Sequence, residues 1–383
     1  MKRKEFLVFG SPAIEESEVE AVARTMRSGW LGTGPRVGEF EAKFRAYTGA
    51  KHALALNSCT AGLHLSMMCL ELKPGDEVIT TPLTFCATAN AIIHAGGKPV
   101  FADVERGTMN IDPAKIEAAI TPRTRAIIPV HFAGRPCNMD AIMDIAKRHN
   151  LPVIEDAAHA TESVYKGKKI GSIADATVFS FYVTKNIVTG EGGMVTTNRQ
   201  EWADRIKVLG LHGMSKDAWK RYSDEGFKHY DVLYPGFKYN MMDLQAAIGL
   251  EQMKRVDAYH RRRQEIWDLY NQAFASLPLI LPAAPETDTV HALHLYTPLL
   301  DIDRVKFSRD EFQGRLHERN IGTGVHFIGL HLHSYYRKTY GYQPDDFANT
   351  RFVSDRTLSL PLSAKLSDGD VQDVIDAVRS SLS

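Results

Sequence analysis

Over roughly the first 200 residues the apolar positions switch repeatedly between helical and strand spacing. Ile14, Val19, Val22 and Met26 form an apolar stripe that predicts a helix over Glu15–Ser28. The glycine-rich run Gly29–Pro35 breaks it, and Arg36–Tyr47 reads as a second helix ended by Thr48-Gly49. Short strands are expected at His52–Leu56, Glu77–Thr80, Pro99–Ala102, Arg125–Val130 and Pro152–Glu155. Helices are expected between them at Cys59–Leu72, Phe85–Ala95, from Asp112-Pro113 onward, and at Asn138–His149. Asp112 suits an N-cap and Pro113 the first helical turn. Strands alternating with helices argue for a mainly parallel sheet with helices on both faces.

The rest of the chain has a different rhythm. Asn240–Phe274 carries few breakers and reads as one long helical stretch. Beyond Leu277 come strand-like pieces at His294–Pro298 and Gly322–Phe327 and helices at Ser308–Arg319 and Asp368–Ser380. The expected organisation is a large α/β domain over residues 1–255 and a small C-terminal α+β domain over 256–383.

Composition narrows the class. The 383 residues are 44% apolar and 24% charged, with 46 basic and 46 acidic side chains balancing to zero. That is an ordinary globular chain with no electrostatic bias toward nucleic acid or anionic membranes. The basic N-terminus lacks the roughly 7–15-residue apolar run of a secretory signal. No run approaches the ~18 apolar residues of a membrane span. The cytoplasm is the expected location. Cys59, Cys69, Cys86 and Cys137 form no close pair and read as buried thiols rather than disulfides or zinc ligands.

The densest chemistry lies between Val153 and Gly193. A buried run ends in Glu155-Asp156, and a second strand leads through Ser180 to Lys185 and the glycine-rich turn Gly190–Gly193. A lone lysine before a turn is ordinarily solvated. Phe179, Phe181 and Ile187 instead make the surroundings of Lys185 apolar, and burial depresses an amine's pKa and frees its lone pair for carbonyl attack. Asp156, alone, reads as a cap for the next helix; at the C-terminal edge of a parallel sheet it sits where such sheets bind ligands. The strand-to-helix turn Asn57–Gly62 is suited to phosphate, although many such turns are plain caps. Phe85 reads either as a core aromatic or as a ring that stacks on a ligand. A reactive lysine, an acid for a ring nitrogen, and hydroxyls with helix amides for a phosphate match the needs of pyridoxal 5'-phosphate (PLP).

Gly29–Pro35, Thr84–Ala91, Glu155–Ala160, Ser180–Gly193 and Gly324–Phe327 together resemble the DegT/DnrJ/EryC1/StrS family. These are fold-type I (aspartate aminotransferase-like) PLP enzymes acting on nucleotide-linked keto-sugars, and the resemblance covers nearly the whole chain. It implies that Lys185 is the Schiff-base lysine and Asp156 the partner of the pyridine nitrogen. His159 takes the position near the cofactor's 3-hydroxyl, and Phe85 becomes the stacking aromatic. Thr60, Ala61 and Ser180 hold the phosphate. In many members an Asn before the long helix reaches the partner subunit's phosphate; here Lys238 stands at that position and Asn240 at that of a following Arg. With Leu211–Met214 upstream, this variant resembles the branch containing UDP-4-amino-4-deoxyarabinose aminotransferase. His326 lies in the part similar to the sugar-nucleotide contact, with Tyr335 and Arg337 near it. His326, His331 and His333 lack a zinc motif, so no metal is expected.

The implied reaction is transamination from L-glutamate, through pyridoxamine phosphate, to carbon 4 of a keto-sugar nucleotide. The family implies a homodimer with shared active sites, and pathways such as polysaccharide or lipopolysaccharide biosynthesis. A sugar 3-aminotransferase is the alternative within this chemistry. A non-catalytic protein that binds PLP or a sugar nucleotide for regulation is the alternative outside it. A sugar dehydratase of this fold is disfavoured, since such relatives replace the lysine by histidine.

Overall fold

The computed structural model describes residues 3–215 and 230–382. Its central layer contains strands β1 (His52–Leu56), β2 (Glu77–Thr80), β3 (Lys98–Phe101), β4 (Thr124–Ile128), β5 (Ile154–Asp156), β6 (Ala176–Ser180) and β7 (Gly193–Thr197). Around them run helices α1 (Glu16–Ser28), α2 (Pro35–Thr48), α3 (Cys59–Met68), α4 (Cys86–His94), α5 (Pro113–Ala119), α6 (Met139–His149), α7 (Gln200–Leu209) and α8 (Asp243–Met253). Toward the C-terminus lie α9 (Val256–Phe274), α10 (Arg309–Glu318), α11 (Ser334–Tyr340), α12 (Ala348–Arg356) and α13 (Asp368–Leu382).

Strands β3, β2 and β4 pair in parallel, as do β5 and β6. Parallel bridges Ile127–Val153 and Val130–Asp156 join the two groups. Only β7 runs against its neighbours, between β6 and β1. The layer is therefore mainly parallel, as the alternating pattern predicts. Strands β2, β6 and β7 are buried at every residue because helices cover both faces. Predicted boundaries hold within a few residues. Asp112 caps α5 by accepting from the Ala114 N–H at 2.8 Å, and Asn138 likewise caps α6.

Several expectations are corrected. The stripe on α1 faces outward: Ile14, Val19 and Met26 are 48%, 51% and 60% exposed. The buried face instead presents Glu18, Ala21 and Thr25. Glu18 is held there by Gln252, whose Nε2 donates at 2.7 Å, and by an ion pair with Arg255. That pairing also bears on the long helix. Asn240–Phe274 is two helices, α8 and α9, and the backbone leaves helical geometry at Arg255 (φ −114°, ψ 1°). No Gly or Pro marks this break; side-chain contacts with α1 accompany it. His294–Pro298 and Gly322–Phe327 form isolated bridges, among them Tyr296–Leu360 and Gly324–Ser359, rather than full strands. Of the cysteines, only Cys137 is fully buried, and all four are free.

A separate apolar core gathers Ile266, Trp267, Tyr270 and Phe274 of α9 with Tyr296, Phe312, Leu316, Val374 and Val378. Val256, at the start of α9, belongs to the core under the sheet. The N-terminal strand-like segment joins the C-terminal part: Leu7 N–H donates to Asn320 O, and Gly322 N–H to Leu7 O. No helix among the described residues is long and apolar enough to cross a membrane.

Candidate active site

Parallel register carries the ends of β5 and β6 to one edge of the sheet. Asp156 is the last residue of β5 and Ser180 the last of β6. Antiparallel β7 returns Gly193 to the same edge, opposite Ser180 on one side and Leu56 of β1 on the other. Between Ser180 and Gly193 the chain forms a tied loop. Phe181 N–H donates to Gly192 O, Thr189 N–H to Phe181 O, and Lys185 N–H to Tyr182 O. Lys185 sits on this loop.

The Lys185 residue is half-buried, but protein surrounds its amine closely enough to lower its pKa to about 8. Burial is the cause; the charges of Cys59 and Asp156 oppose it. Lys185 has no ion-pair partner among the described residues. Asp156 is buried, and burial raises its pKa. Its Oδ2 accepts from Thr88 Oγ1 at 2.8 Å and its Oδ1 from Ala158 N–H at 3.1 Å. Such a buried carboxyl, hydrogen-bonded but in no ion pair among the described residues, suits a protonated ring nitrogen.

The turn after β1 supplies an anion seat. Ser58 caps α3, its Oγ accepting from the Ala61 N–H at 3.1 Å. Ala61 N–H is therefore already engaged, while Cys59 and Thr60 head the helix with no intrahelical acceptor for their amides. Thr60 is exposed at the mouth and Ala61 is buried. The Ser180 hydroxyl accepts from Tyr182 N–H at 3.3 Å. A Cβ on Gly193 would lie 2.5 Å from Cys59 N and from the Ser58 carbonyl, so a glycine is needed for this approach.

Phe85 is 61% exposed, which overturns the core reading and leaves its ring open for stacking. It lines an apolar groove of about 460 Å³ with Phe327, Ile328, Tyr335 and Tyr336. His159 is buried, and its Nδ1 accepts from Ala133 N–H at 3.2 Å. His326 is half-buried, with Nδ1 2.8 Å from Ser359 Oγ, and its ring lies 6.5 Å from that of His159. Arg337 is exposed. Lys238 is exposed and its carbonyl accepts from Asn57 Nδ2; Asn240 Nδ2 donates to Thr33 Oγ1 at 2.6 Å. The backbone of residues 238–240 thus runs beside Asn57, at the start of that turn, since Asn57 N–H donates to the intervening Tyr239 O. His331 and His333 turn Nε2 to the carbonyls of Pro344 and Ile328. No cluster able to hold a metal ion occurs among the described residues.

Sequence reasoning missed Thr88 and His294. Thr88, on α4, lies inside the motif Thr84–Ala91, and its four-residue spacing from Thr84 just before the helix was the available signal; the two hydroxyls are 2.8 Å apart. His294 carries no sequence signal. Only the fold brings its ring to 4.5 Å from that of His159.

The residues present fit PLP: a reactive amine, a buried acid, an anion seat and an open aromatic face converge at one sheet edge. Comparison with known proteins agrees. The chain is 54% identical over 379 residues to the spore coat polysaccharide biosynthesis protein SpsC of Bacillus subtilis, covering 99% of this chain and 97% of that protein. Its fold is similar to the putative sugar aminotransferase Spr1654 from Streptococcus pneumoniae, solved in PMP, PLP and apo forms. For the PMP form the TM-score is 0.90 at 33% identity, covering 98% of this chain and 97% of that one. Helicobacter pylori PseC, an aminotransferase involved in the biosynthesis of pseudoaminic acid, gives 0.91 at 31% identity, covering 99% of each chain. With residues 12–379 matching the family throughout, the chain belongs to the DegT/DnrJ/EryC1/StrS aminotransferase family and is a PLP-dependent sugar aminotransferase of fold type I.

Proposed function

We propose that the enzyme moves an amino group from L-glutamate to carbon 4 of a nucleotide-linked keto-sugar, with Lys185 as the reacting amine. The observation that carries this reading is the buried, low-pKa amine of Lys185 beside the buried carboxyl of Asp156. The carbon-4 assignment rests on the Pro235–Asp243 and Leu211–Met214 segments.

Lys185 would hold the cofactor's aldehyde carbon, Asp156 its ring nitrogen, and Phe85 one ring face. The first turn of α3 and Ser180 would hold the phosphate, with Lys238 and Asn240 of a second copy beside it. When bound, PLP supplies an electron sink for the carbon that loses its proton. Lys185 Nζ, freed when bound substrate takes its place, would be the base that accepts the proton from the donor's α-carbon and the acid that delivers it to the cofactor's aldehyde carbon. Asp156 keeps its negative charge against the ring nitrogen throughout. His159 donates toward the 3-oxygen, and His326 faces the sugar. Two substrates using one lysine in turn give ping-pong kinetics.

A homodimer fits this reading. Trp30 and Leu31 are 48% and 44% exposed, in a loop whose Gly32 carbonyl accepts from Asp243 N–H, next to exposed Met242. The division at residue 255 fits as well, with the core around Phe312 and Tyr296 serving the smaller part.

The test is amino transfer from L-glutamate to 4-keto and 3-keto sugar nucleotides, with 2-oxoglutarate and the aminated sugar both quantified. Equal amounts of both products from the 4-keto substrate, lost in Lys185→Ala, are expected. Faster use of the 3-keto substrate would overturn the carbon-4 assignment. Full turnover in Lys185→Ala would overturn the role of the lysine. Light scattering should give twice the chain mass, and a fully active monomer would overturn the shared site.

A further inference from the structure

Three imidazoles gather near Lys185, and the unanticipated one, His294, is held by a defined chain of hydrogen bonds. Residues 290–294 lie across the loop that follows β4. Ala292 N–H donates to Gly134 O at 2.9 Å and His294 N–H to Ala133 O at 3.0 Å. Nothing larger than glycine fits between: a Cβ on Gly134, whose φ is +99°, would lie 2.8 Å from His159 O and 2.9 Å from Ala292 Cβ.

The protons in this cluster can be assigned from their partners. Asn186, next to Lys185, donates through Nδ2 to Glu162 Oε2 at 2.7 Å and to Ala292 O at 2.9 Å. Both partners are pure acceptors, and Glu162 is itself ion-paired with buried Arg263 of α9. The amide therefore cannot be flipped without setting oxygen against oxygen. Its Oδ1 faces His294 Nδ1 at 3.0 Å, so that nitrogen carries the hydrogen and Nε2 of the neutral ring holds a lone pair. His159 is the reverse case. Its Nδ1 accepts from Ala133 N–H, so its hydrogen is on Nε2. The two rings are neighbours with opposite tautomers, tilted 40° to each other. Burial keeps both neutral, reinforced by the positive charge of Lys185 near each ring.

We propose that His294 is a positioning residue: held by Asn186 as the Nδ1–H tautomer, it packs against His159 and holds that ring, whose Nδ1 is engaged by Ala133 N–H, in place to donate through Nε2–H to the cofactor's 3-oxygen. The chain Arg263–Glu162–Asn186–His294 thereby ties α9 to the residue after Lys185 and to the ring beside it. The inference rests on the proposed roles of Lys185 and His159.

The test uses full-length protein carrying ¹⁵N-histidine, with imidazole nitrogen shifts recorded without and with PLP. Resonances are assigned from the His159 and His294 variants. In the cofactor-free wild type, His294 should read as neutral Nδ1–H and His159 as neutral Nε2–H at pH 7. His294→Phe should leave His159 as Nε2–H but shift its imidazole nitrogen signals as the ring loses its packing partner. It should also move the pH midpoint of the PLP-bound visible band and lower kcat about tenfold, the worth of one hydrogen bond to a charged group, with little change in KM for glutamate. His294→Asn, which keeps a donor toward Asn186, should restore part of kcat. Asn186→Ala should release the His294 tautomer by a separate route. His294 as Nε2–H or as imidazolium at pH 7 would overturn the inference, as would a His159 signal unmoved by both His294→Phe and Asn186→Ala. A wild type with the expected tautomers but no visible band on adding PLP would instead sink the cofactor role of Lys185, because the tautomers are read without cofactor.

Discussion

The Thr88 hydroxyl donates to Asp156 Oδ2 across 2.8 Å, fixing this buried acid from a neighbouring helix. This bond favours the ionised carboxyl against the burial that opposes it. Thr88→Val should weaken PLP binding about tenfold, the scale of one charge-assisted hydrogen bond. Thr88→Ser should bind nearly as wild type. Equilibrium titration of cofactor-free protein with PLP checks this; equal affinities for Val and wild type would refute the bond's role.

The amine of Lys185 titrates near pH 8 rather than in the usual lysine range. At pH 7 about a tenth of it is neutral, against well under a thousandth for an ordinary lysine. Capture of PLP should therefore quicken as pH rises and level off above pH 8. The negative charge of Asp156 favours the ammonium, so Asp156→Asn should move the midpoint lower, not higher. Rates of appearance of the visible band across pH 6 to 10 measure both, and a wild-type midpoint near 10 would contradict the buried amine.

Gly193→Ala places a methyl 2.5 Å from backbone atoms of Ser58 and Cys59. Backbone cannot step aside as a flexible side chain can, so the anion seat must shift. PLP affinity should fall by at least about tenfold, while circular dichroism stays close to wild type. Inorganic phosphate should lose its protection of the protein in thermal melts as well.

Asp243 is a buried carboxylate at the head of α8 that caps a different helix. Its Oδ1 accepts from Gly34 and Val37 N–H at 2.8 and 3.0 Å, and its Oδ2 from Arg36 N–H at 3.1 Å. Gly34, the N-cap of α2, has no side chain for that duty. Asp243→Ala should cost about 2 kcal/mol in urea denaturation, at the upper end for a lost cap. An unchanged midpoint would show that water replaces it.

Much of this was readable in the chain because local signals and tertiary needs coincide in the βα repeats. Asp112-Pro113 and Asn138 announce helices that exist, and the apolar runs Val78-Ile79 of β2 and Ala126–Ile128 of β4 are buried in the sheet as expected. The reading failed where a partner outside the segment decides. The stripe of α1 looks inward by periodicity, yet Glu18 takes the buried side because Gln252 and Arg255 satisfy it. Those contacts, more than 230 residues away, also accompany the unforeseen break at Arg255. At the site, Lys185, Asp156 and Ser180 stand in recognisable runs. His294 lies in an irregular segment, and its contact with His159 is made only by folding.

The reversed direction of β7 has a mechanical consequence. Because Ser180 and Gly193 face each other in register, the segment carrying Lys185 leaves and re-enters the sheet at adjacent points. The lysine rides on a closed ring of backbone, not on a strand end free to sway. Much of the entropy that a reacting amine would lose on being aimed has thus already been spent in folding. The same closure makes segment length a strict quantity: adding or removing one residue between 180 and 193 would rotate the amine away from Asp156 while the sheet itself stayed intact.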